Sequence, residues 1–310
     1  MALGTPTWIS TAATLGQKAV VDVYLQKKFI EELRKRLIIT PLGVEADLPT
    51  SSGSKVRWLL FGNPTTATGI TPITEGTDPT EDASITLSGI ESTLQEYGNY
   101  VQYSKFLKLV AINGTIDRLA RGMAYKAKLI IDTLTFDTLE GAATTRDAGA
   151  AMSANFLLGQ VRALVEADVM PHPTSPSGSD FVYVCTAEQA FDMMGEGNPA
   201  WYQVKDTQHP AMVNPMKGDV ASSALYGAIV RISTNAPTVA SEDYSYLLGD
   251  EAFGTVSLDS NLMDPTIIHT RPDENIPAPA RNRGVLAFWF LYASKLIDEV
   301  RFREIKSDVG

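Results

Sequence analysis

Two extended runs, Lys55–Phe61 (KVRWLLF) and Ser84–Ser104 (SITLSGIESTLQEYGNYVQYS), flank a stretch that can build no core of its own. From Gly62 to Asp82 the chain carries Pro64, Gly69, Pro72, Gly76 and Pro79 among threonines and acidic side chains. Proline removes backbone donors and glycine loosens the chain, so neither helix nor sheet fits there. The pattern predicts a long β-hairpin with a polar tip. A loop of that size inside a compact domain is uncommon and usually has a job. This one must lean on something beyond its own fold, and a neighbouring subunit is the natural support.

The rest of the composition is ordinary. Of 310 residues, 44% are hydrophobic and 20% charged, which allows one large or two modest domains. A net charge of −10 and a pI near 4.9 argue against a protein that wraps nucleic acid through a basic surface. Cys185 is the only cysteine, which excludes a disulfide framework and any multi-cysteine metal site. No signal peptide is legible, and the longest apolar run, Val285–Ala293, is too short to span a bilayer. The expectation is a soluble acidic protein, made inside the cell, with no membrane partner. Its acidic excess is local: residues 151–265 hold 14 acidic and 4 basic groups, while the flanks are close to neutral. A solvated surface explains this; a separate lobe in a different environment explains it more specifically.

Around the hairpin the periodicities alternate. Residues 1–15 lack any period and read as an arm. From Gln17 to Ile38, Val21, Leu25, Phe29, Leu33 and Leu37 recur at helical spacing, and Thr40-Pro41 ends the helix. The longest predicted helix, Ala111–Leu139, carries Ile112, Ile116, Leu119, Met123, Ala127, Ile130 and Leu134, with Asp117, Arg118, Arg121, Lys126 and Lys128 between them. Ser153 reads as the cap of a further helix, and Thr186-Ala-Glu-Gln189 as a capping box after a buried strand, Asp180–Cys185. Strands are predicted at Ala228–Ser233, Tyr244–Leu248, Gly254–Leu258 and Thr266–Thr270. The C-terminal part combines Val285–Ala293 with an alternating Glu299–Ile305, in which Val300, Phe302 and Ile305 oppose Arg301, Arg303 and Glu304.

No chemistry-bearing constellation emerges. His172, His209 and His269 have no partner at helical spacing, and they read as isolated surface residues with no metal to hold. Cys185 closes an apolar strand and reads as a buried hydrophobe, with no base nearby to activate it. Ser52-Gly-Ser-Lys55 matches a serine–lysine pattern but lies at a turn, and the carboxylate groups Asp78/Glu81/Asp82 and Asp250/Glu251 also sit in turns. Catalytic, cofactor-binding and metal residues are therefore all assigned as none. A chain with an arm, a projecting hairpin, a long helix and an acidic lobe is built for contact with copies of itself.

Four stretches carry a resemblance to a known family. They are Val20–Leu37 leading into Leu48-Pro49 and Lys55–Phe61; Thr71–Pro79 (TPITEGTDP) followed by Gln95-Glu-Tyr-Gly98; Asp219–Ala236; and Gly254–Ile268 with Val285–Ile305. In them the chain resembles the major capsid proteins of tailed double-stranded DNA bacteriophages, which share the HK-ninety-seven-like α+β fold. The resemblance implies an N-terminal arm with an amphipathic helix (1–50), an extended hairpin loop (51–105), a peripheral domain built on the spine helix (106–150 and 266–310), and an axial α/β domain (151–265).

It also implies a function and a set of contacts. The chain would be a non-enzymatic shell subunit without cofactor, forming pentamers and hexamers of an icosahedral head around DNA bound without sequence preference. Assembly would take place in the host cytoplasm, and the subunit would end in the virion. A portal, a separate scaffolding protein and a decoration protein are the further partners implied; no scaffolding-like domain precedes the arm, and no crosslinking lysine and asparagine are identified. Contact residues expected on this basis are Thr71, Pro72, Thr74, Glu75, Gly76 and Pro79 at the loop tip, with Phe29, Leu33 and Leu37 on the arm helix. Leu119, Met123, Ile130 and Leu134 would form the spine core, and Lys217 an axial inter-subunit contact. Two alternatives remain open: an encapsulin-like compartment shell of the same fold, and an α/β enzyme of unknown chemistry.

Overall fold

A computed structural model describes residues 22–33, 37–46, 53–61, 75–76, 87–104, 115–140, 145–175, 180–194, 224–225, 227–256, 265–270 and 282–309. The chain divides into two compact units. One comprises Met1–Pro41, Gln95–Thr135 and Ser257–Tyr292; the other comprises Leu42–Leu94, Phe136–Val256 and Ala293–Gly310.

The first unit packs helices on one face of an antiparallel sheet. Its strands run in the order Thr266–Thr270, Arg283–Tyr292, Gln95–Ser104. Leu286, Phe288, Phe290 and Tyr292 alternate along the central strand and are buried, while Val285, Ala287, Trp289 and Leu291 on the other face are only partly covered. Both sets are apolar, which is why the sequence shows a continuous run. Helical residues 22–33 place Leu25, Phe29 and Leu33 in the same core, with the Phe29 ring 5.9 Å from that of Phe288. The expected helix Gln17–Ile38 is shorter at its end: residues 37–39 have left helical geometry, and residues 17–21 and 34–36 lie outside the described residues.

The spine helix runs from Thr115 to Leu139. Its buried line passes through Ala120, Met123, Ala124, Ala127 and Ile131, and Leu119, Ile130 and Leu134 flank the core, partly buried. The face therefore lies about one residue to the side of the stripe of large apolar side chains. Three alanines explain the offset, because small residues let a helix backbone approach the sheet more closely than leucines do. Lys128, read as an outer residue, is also buried, beside Asp132.

The second unit is built on a mixed sheet in the order Arg146–Asp147, Phe302–Asp308, Glu242–Leu248, Phe181–Cys185, Ala228–Ile232, Ala224–Leu225, with Thr238–Val239 added alongside Glu242–Leu248. Phe181–Cys185 and Ala228–Ile232 are parallel neighbours. Ser153 caps the helix Ala154–Glu166 by accepting from the Phe156 N–H at 3.2 Å. The capping box forms as the sequence predicts: Gln189 N–H donates to Thr186 Oγ1 at 3.2 Å and Thr186 N–H to Gln189 Oε1 at 3.4 Å, opening the helix Ala187–Met194. Rings of Phe136, Tyr246 and Phe302 stack in series at 5.4 and 5.8 Å.

Two strands differ from expectation. Glu299–Arg301 is a 3-10 turn and Phe302–Asp308 a strand, in which Arg303 and Glu304 are buried instead of alternating outward. The strand is paired on both sides, and its first four residues, Phe302–Ile305, are buried on both faces. That pairing also sets the C-terminal strand in the sheet of the expected axial segment, whereas 266–292 stays with the spine helix. The returning extended run is two strands, not one. Leu87–Thr93 pairs with Lys55–Phe61, and after Leu94 the strand Gln95–Ser104 pairs with Arg283–Tyr292 in the other sheet.

Candidate functional site

The hairpin is a ribbon tied at its root. Lys55–Phe61 and Leu87–Thr93 are antiparallel from Lys55↔Thr93 to Phe61↔Leu87. At the root Val56 and Trp58 are buried beside a small sheet formed by Val44–Ala46, Phe253–Val256 and Ser294–Leu296. The Trp58 Nε1–H donates to the Val44 carbonyl at 3.1 Å, and Ser92 Oγ donates to the Ser294 carbonyl at 3.3 Å. Farther out, Leu59 and Leu87 are 55% and 60% exposed, so the ribbon is apolar where the chain gives it no cover. At the tip Glu75 and Gly76 form an exposed turn, and Gly76 has φ +84°, a left-handed conformation that glycine adopts without strain. Thr71, Pro72, Thr74 and Pro79 lie outside the described residues.

The arm helix is held by its own chain. Phe29 and Leu33 are fully buried in the core under the spine helix, and Leu37 packs against that core partly covered. Gln26 adds a two-point clasp on the edge strand: its Nε2 donates to the Pro265 carbonyl and its Oε1 accepts from the Ile267 N–H, both at 2.7 Å. One turn earlier Asp22 Oδ1 stands 4.0 Å from His269 Nδ1. On the opposite side of the helix Val23 and Tyr24 are 69% and 50% exposed.

His172 and His269 are structural, which corrects their reading as surface residues. His172 is buried; its Nε2 meets the Leu42 carbonyl at 2.8 Å, Thr174 bonds its Nδ1, and burial lowers its pKa below the usual 6.5. His269 is buried with Nε2 2.7 Å from the Tyr103 hydroxyl. His209 and Lys217 lie outside the described residues. Cys185 is fully buried, and burial together with the neighbouring Asp243 pushes its thiol far above the ordinary range. Such a thiol is no nucleophile. Among the described residues no group of three or more His, Cys, Asp or Glu is placed to hold a metal, and no helix is long and apolar enough to cross a membrane.

The acidic segment is tied by its own hydroxyls and by basic side chains of the C-terminal part. Asp243 accepts from Thr186 Oγ1 at 2.6 Å and from Thr238 Oγ1 at 2.5 Å, and Lys306 bridges Asp147 and Glu242 at 3.0 and 2.9 Å. Arg301 pairs with Glu251 and, at 3.2 Å, with Asp298. Sequence reasoning missed Trp58, Gln26 and the Lys128–Asp132 pair. Trp58 has a signal in the alternation of KVRWLLF, which puts Val56 and Trp58 on one face; the other two have none, because each depends on a partner distant in the chain or on helix phase.

No family model matches the chain, and no curated protein matches it in sequence at a significant level. Solved structures do match over almost its whole length. The capsid of cyanophage Pam1 superposes with a TM-score of 0.59 at 12% identity, covering 90% of this chain and 92% of that one. The capsid of Ralstonia phage GP4 gives 0.61 at 14% identity, covering 88% and 89%. A holo encapsulin complex from Synechococcus elongatus gives 0.54 at 9% identity, covering 86% of each chain. The fold is the α+β HK-ninety-seven-like fold found in these shells.

Proposed function

We propose that the chain is the major head-shell protein of a tailed double-stranded DNA bacteriophage, assembling into pentamers and hexamers of an icosahedral capsid. The observation that carries this reading is the hairpin, anchored at Trp58 and apolar yet exposed at Leu59 and Leu87, in a chain whose fold matches phage capsids over about 90% of its length. Function then comes from geometry. Many modest contacts, closed by symmetry, sum to a stable container. Its net charge of −10 suits a genome that is packed in and later leaves, since tight phosphate binding would oppose both movements. The role is structural and not enzymatic, with DNA held without sequence preference, and a portal, a scaffolding protein and a decoration protein as further partners. Assembly is assigned to the host cytoplasm and the final location to the virion.

An encapsulin-like compartment is the second reading, favoured by the match to the Synechococcus complex. Electron microscopy of the purified protein tests the shell itself: closed particles or capsomers are expected, and a small oligomer overturns it. Nucleic acid inside particles recovered from the native source supports the phage head, whereas a protein cargo supports the compartment. Deleting Thr68–Thr80 should leave a folded subunit that no longer assembles; normal particles from that variant would refute the hairpin's role.

A further inference from the structure

The sheet that packs against the arm helix ends on an edge strand. Thr266–Thr270 pairs with Arg283–Tyr292 on one side, and among the described residues no strand lies on the other. Its sequence, TIIHT, holds four β-branched residues and no lysine, arginine or carboxylate. Short runs of high β-propensity and low charge are those that pair with other chains when their backbone is open. Ile268 adds to this, being 47% exposed on the face of the sheet away from the helices.

A charge on the strand itself, the common guard of such an edge, is missing from these residues. One side chain of the arm helix stands there instead. Gln26 Nε2 donates to the Pro265 carbonyl and its Oε1 accepts from the Ile267 N–H, both at 2.7 Å. That acceptor and that donor are two residues apart on the open side of the strand, where a neighbouring strand would bond them. A primary amide offers one N–H and one C=O in the manner of a peptide group, so the glutamine supplies what a strand would supply. Leu25, Phe29 and Leu33, buried in the core, bring the helix to this place. One turn before Gln26, Asp22 stands 4.0 Å from His269 near the end of the strand.

We infer that Gln26 is a surrogate strand: its amide occupies the bonding groups of the edge and keeps Thr266–Thr270 from pairing with the same strand of a second copy. Seating of the arm helix and addition of a strand are then mutually exclusive, because both claim the Pro265 carbonyl and the Ile267 N–H. Apolar packing of the helix would not do this alone. An aliphatic side chain at this position fills the space, but the N–H and C=O beneath it stay unbonded and favour any strand that satisfies them. The pairing so prevented competes with ordered assembly, and the inference does not rest on the head-shell reading.

The test uses the full-length chain with Gln26→Ala, alone and combined with Ile268→Lys or with Val165→Lys. Val165 is 61% exposed on the helix Ala154–Glu166, so a lysine placed there controls for solubility in general. Sedimentation across protein concentration detects association, and thioflavin binding separates strand-paired aggregates from closed particles. Amide exchange in peptides covering residues 265–270 reports the edge itself. A lost hydrogen bond is worth roughly fivefold in opening, so with two lost Gln26→Ala should exchange there about tenfold faster than wild type, or more. It should also form thioflavin-positive aggregates at concentrations where wild type forms none. Ile268→Lys should abolish them without restoring protection, since a charge on the edge opposes pairing but returns no hydrogen bond. Val165→Lys should leave them unchanged. If Gln26→Ala does not fold, Gln26→Glu replaces it with the same expectations, because its carboxylate has no donor for the Pro265 carbonyl. A variant at Gln26 that stays as free of aggregates as wild type overturns the inference. So does rescue by Val165→Lys, which would trace the aggregates to solubility alone. Either failure leaves the head-shell reading standing, because particle formation tests that reading separately.

Discussion

Tyr103 lies across Gly284 to reach His269, two strands away in the same sheet. Gly284 faces Tyr103 in the ladder, and a Cβ there would stand 2.3 Å from the Tyr103 ring. The missing side chain leaves the ring room to cross the central strand, and its hydroxyl then meets His269 Nε2 at 2.7 Å, with the two rings nearly parallel at 22°. His269 in turn stands beside Asp22 on the arm helix. A glycine in the middle of a strand thus sets how the arm's first described turn is held.

Gly284→Ala should force the ring aside and destabilise the chain by about 1–3 kcal/mol in denaturant unfolding. Gly122→Ala on the exposed side of the spine helix, where a Cβ meets nothing within 4 Å, should instead stabilise by about 0.5–1 kcal/mol. Equal effects from the two would show that Tyr103 does not need the gap.

The hairpin root has a comparable contact. A Cβ at Gly254 would stand 2.4 Å from the Trp58 indole. Gly254→Ala should loosen the root and lower the yield of assembled particles, measured by sedimentation, more than it lowers the unfolding midpoint. Trp58→Ala removes the buried ring altogether, at roughly 3–5 kcal/mol. Particles forming normally from either variant would mean that the hairpin's direction is not set at Trp58.

On the spine helix, Met123→Asp would bury an unpaired charge in the apolar layer, and soluble expression should be lost. Lys126→Asp lies on the exposed face and should be tolerated. Expression and thermal unfolding of both variants decide whether the burial line is placed correctly.

Gln189 is a hub: besides the capping box, its Nε2 donates to the Asp243 carbonyl and to Ser307 Oγ, both at 2.9 Å. Gln189→Leu keeps the volume but strands several buried polar groups, each worth about 1–3 kcal/mol when left unpaired. The chain should unfold at clearly lower denaturant, and an unchanged midpoint would contradict the network.

The acidic segment predicts a salt response. Where copies of residues 151–265 meet, like charges repel and salt screens them. Light scattering should show more assembly in moderate salt than in very dilute buffer, and Asp168→Asn with Glu188→Gln should narrow the gap. Glu251 is best left intact, since it pairs with Arg301 inside the chain. Assembly that falls steadily with salt would show attraction to govern these contacts.

What the sequence determined by itself was local. Ser153 and the Thr186–Gln189 box cap their helices because a cap needs only residues three apart, and Thr266–Thr270 is a strand where its β-branched run predicts one. The arm helix's inward face was legible from Leu25, Phe29 and Leu33, and the hairpin from its proline- and glycine-rich tip. Tertiary structure decided the rest, because it turned on who the neighbours are. Whether 84–104 is one strand or two depends on a change of partner at Leu94, and whether Arg303 and Glu304 face water depends on what covers each face of Phe302–Asp308. The phase of the spine helix was set by three alanines that let the sheet come close, which periodicity in the large side chains cannot reveal. For the same reason Lys128, which read as an outer residue, is held in the core beside Asp132: burial is a property of what packs against a residue, and only the folded chain supplies it.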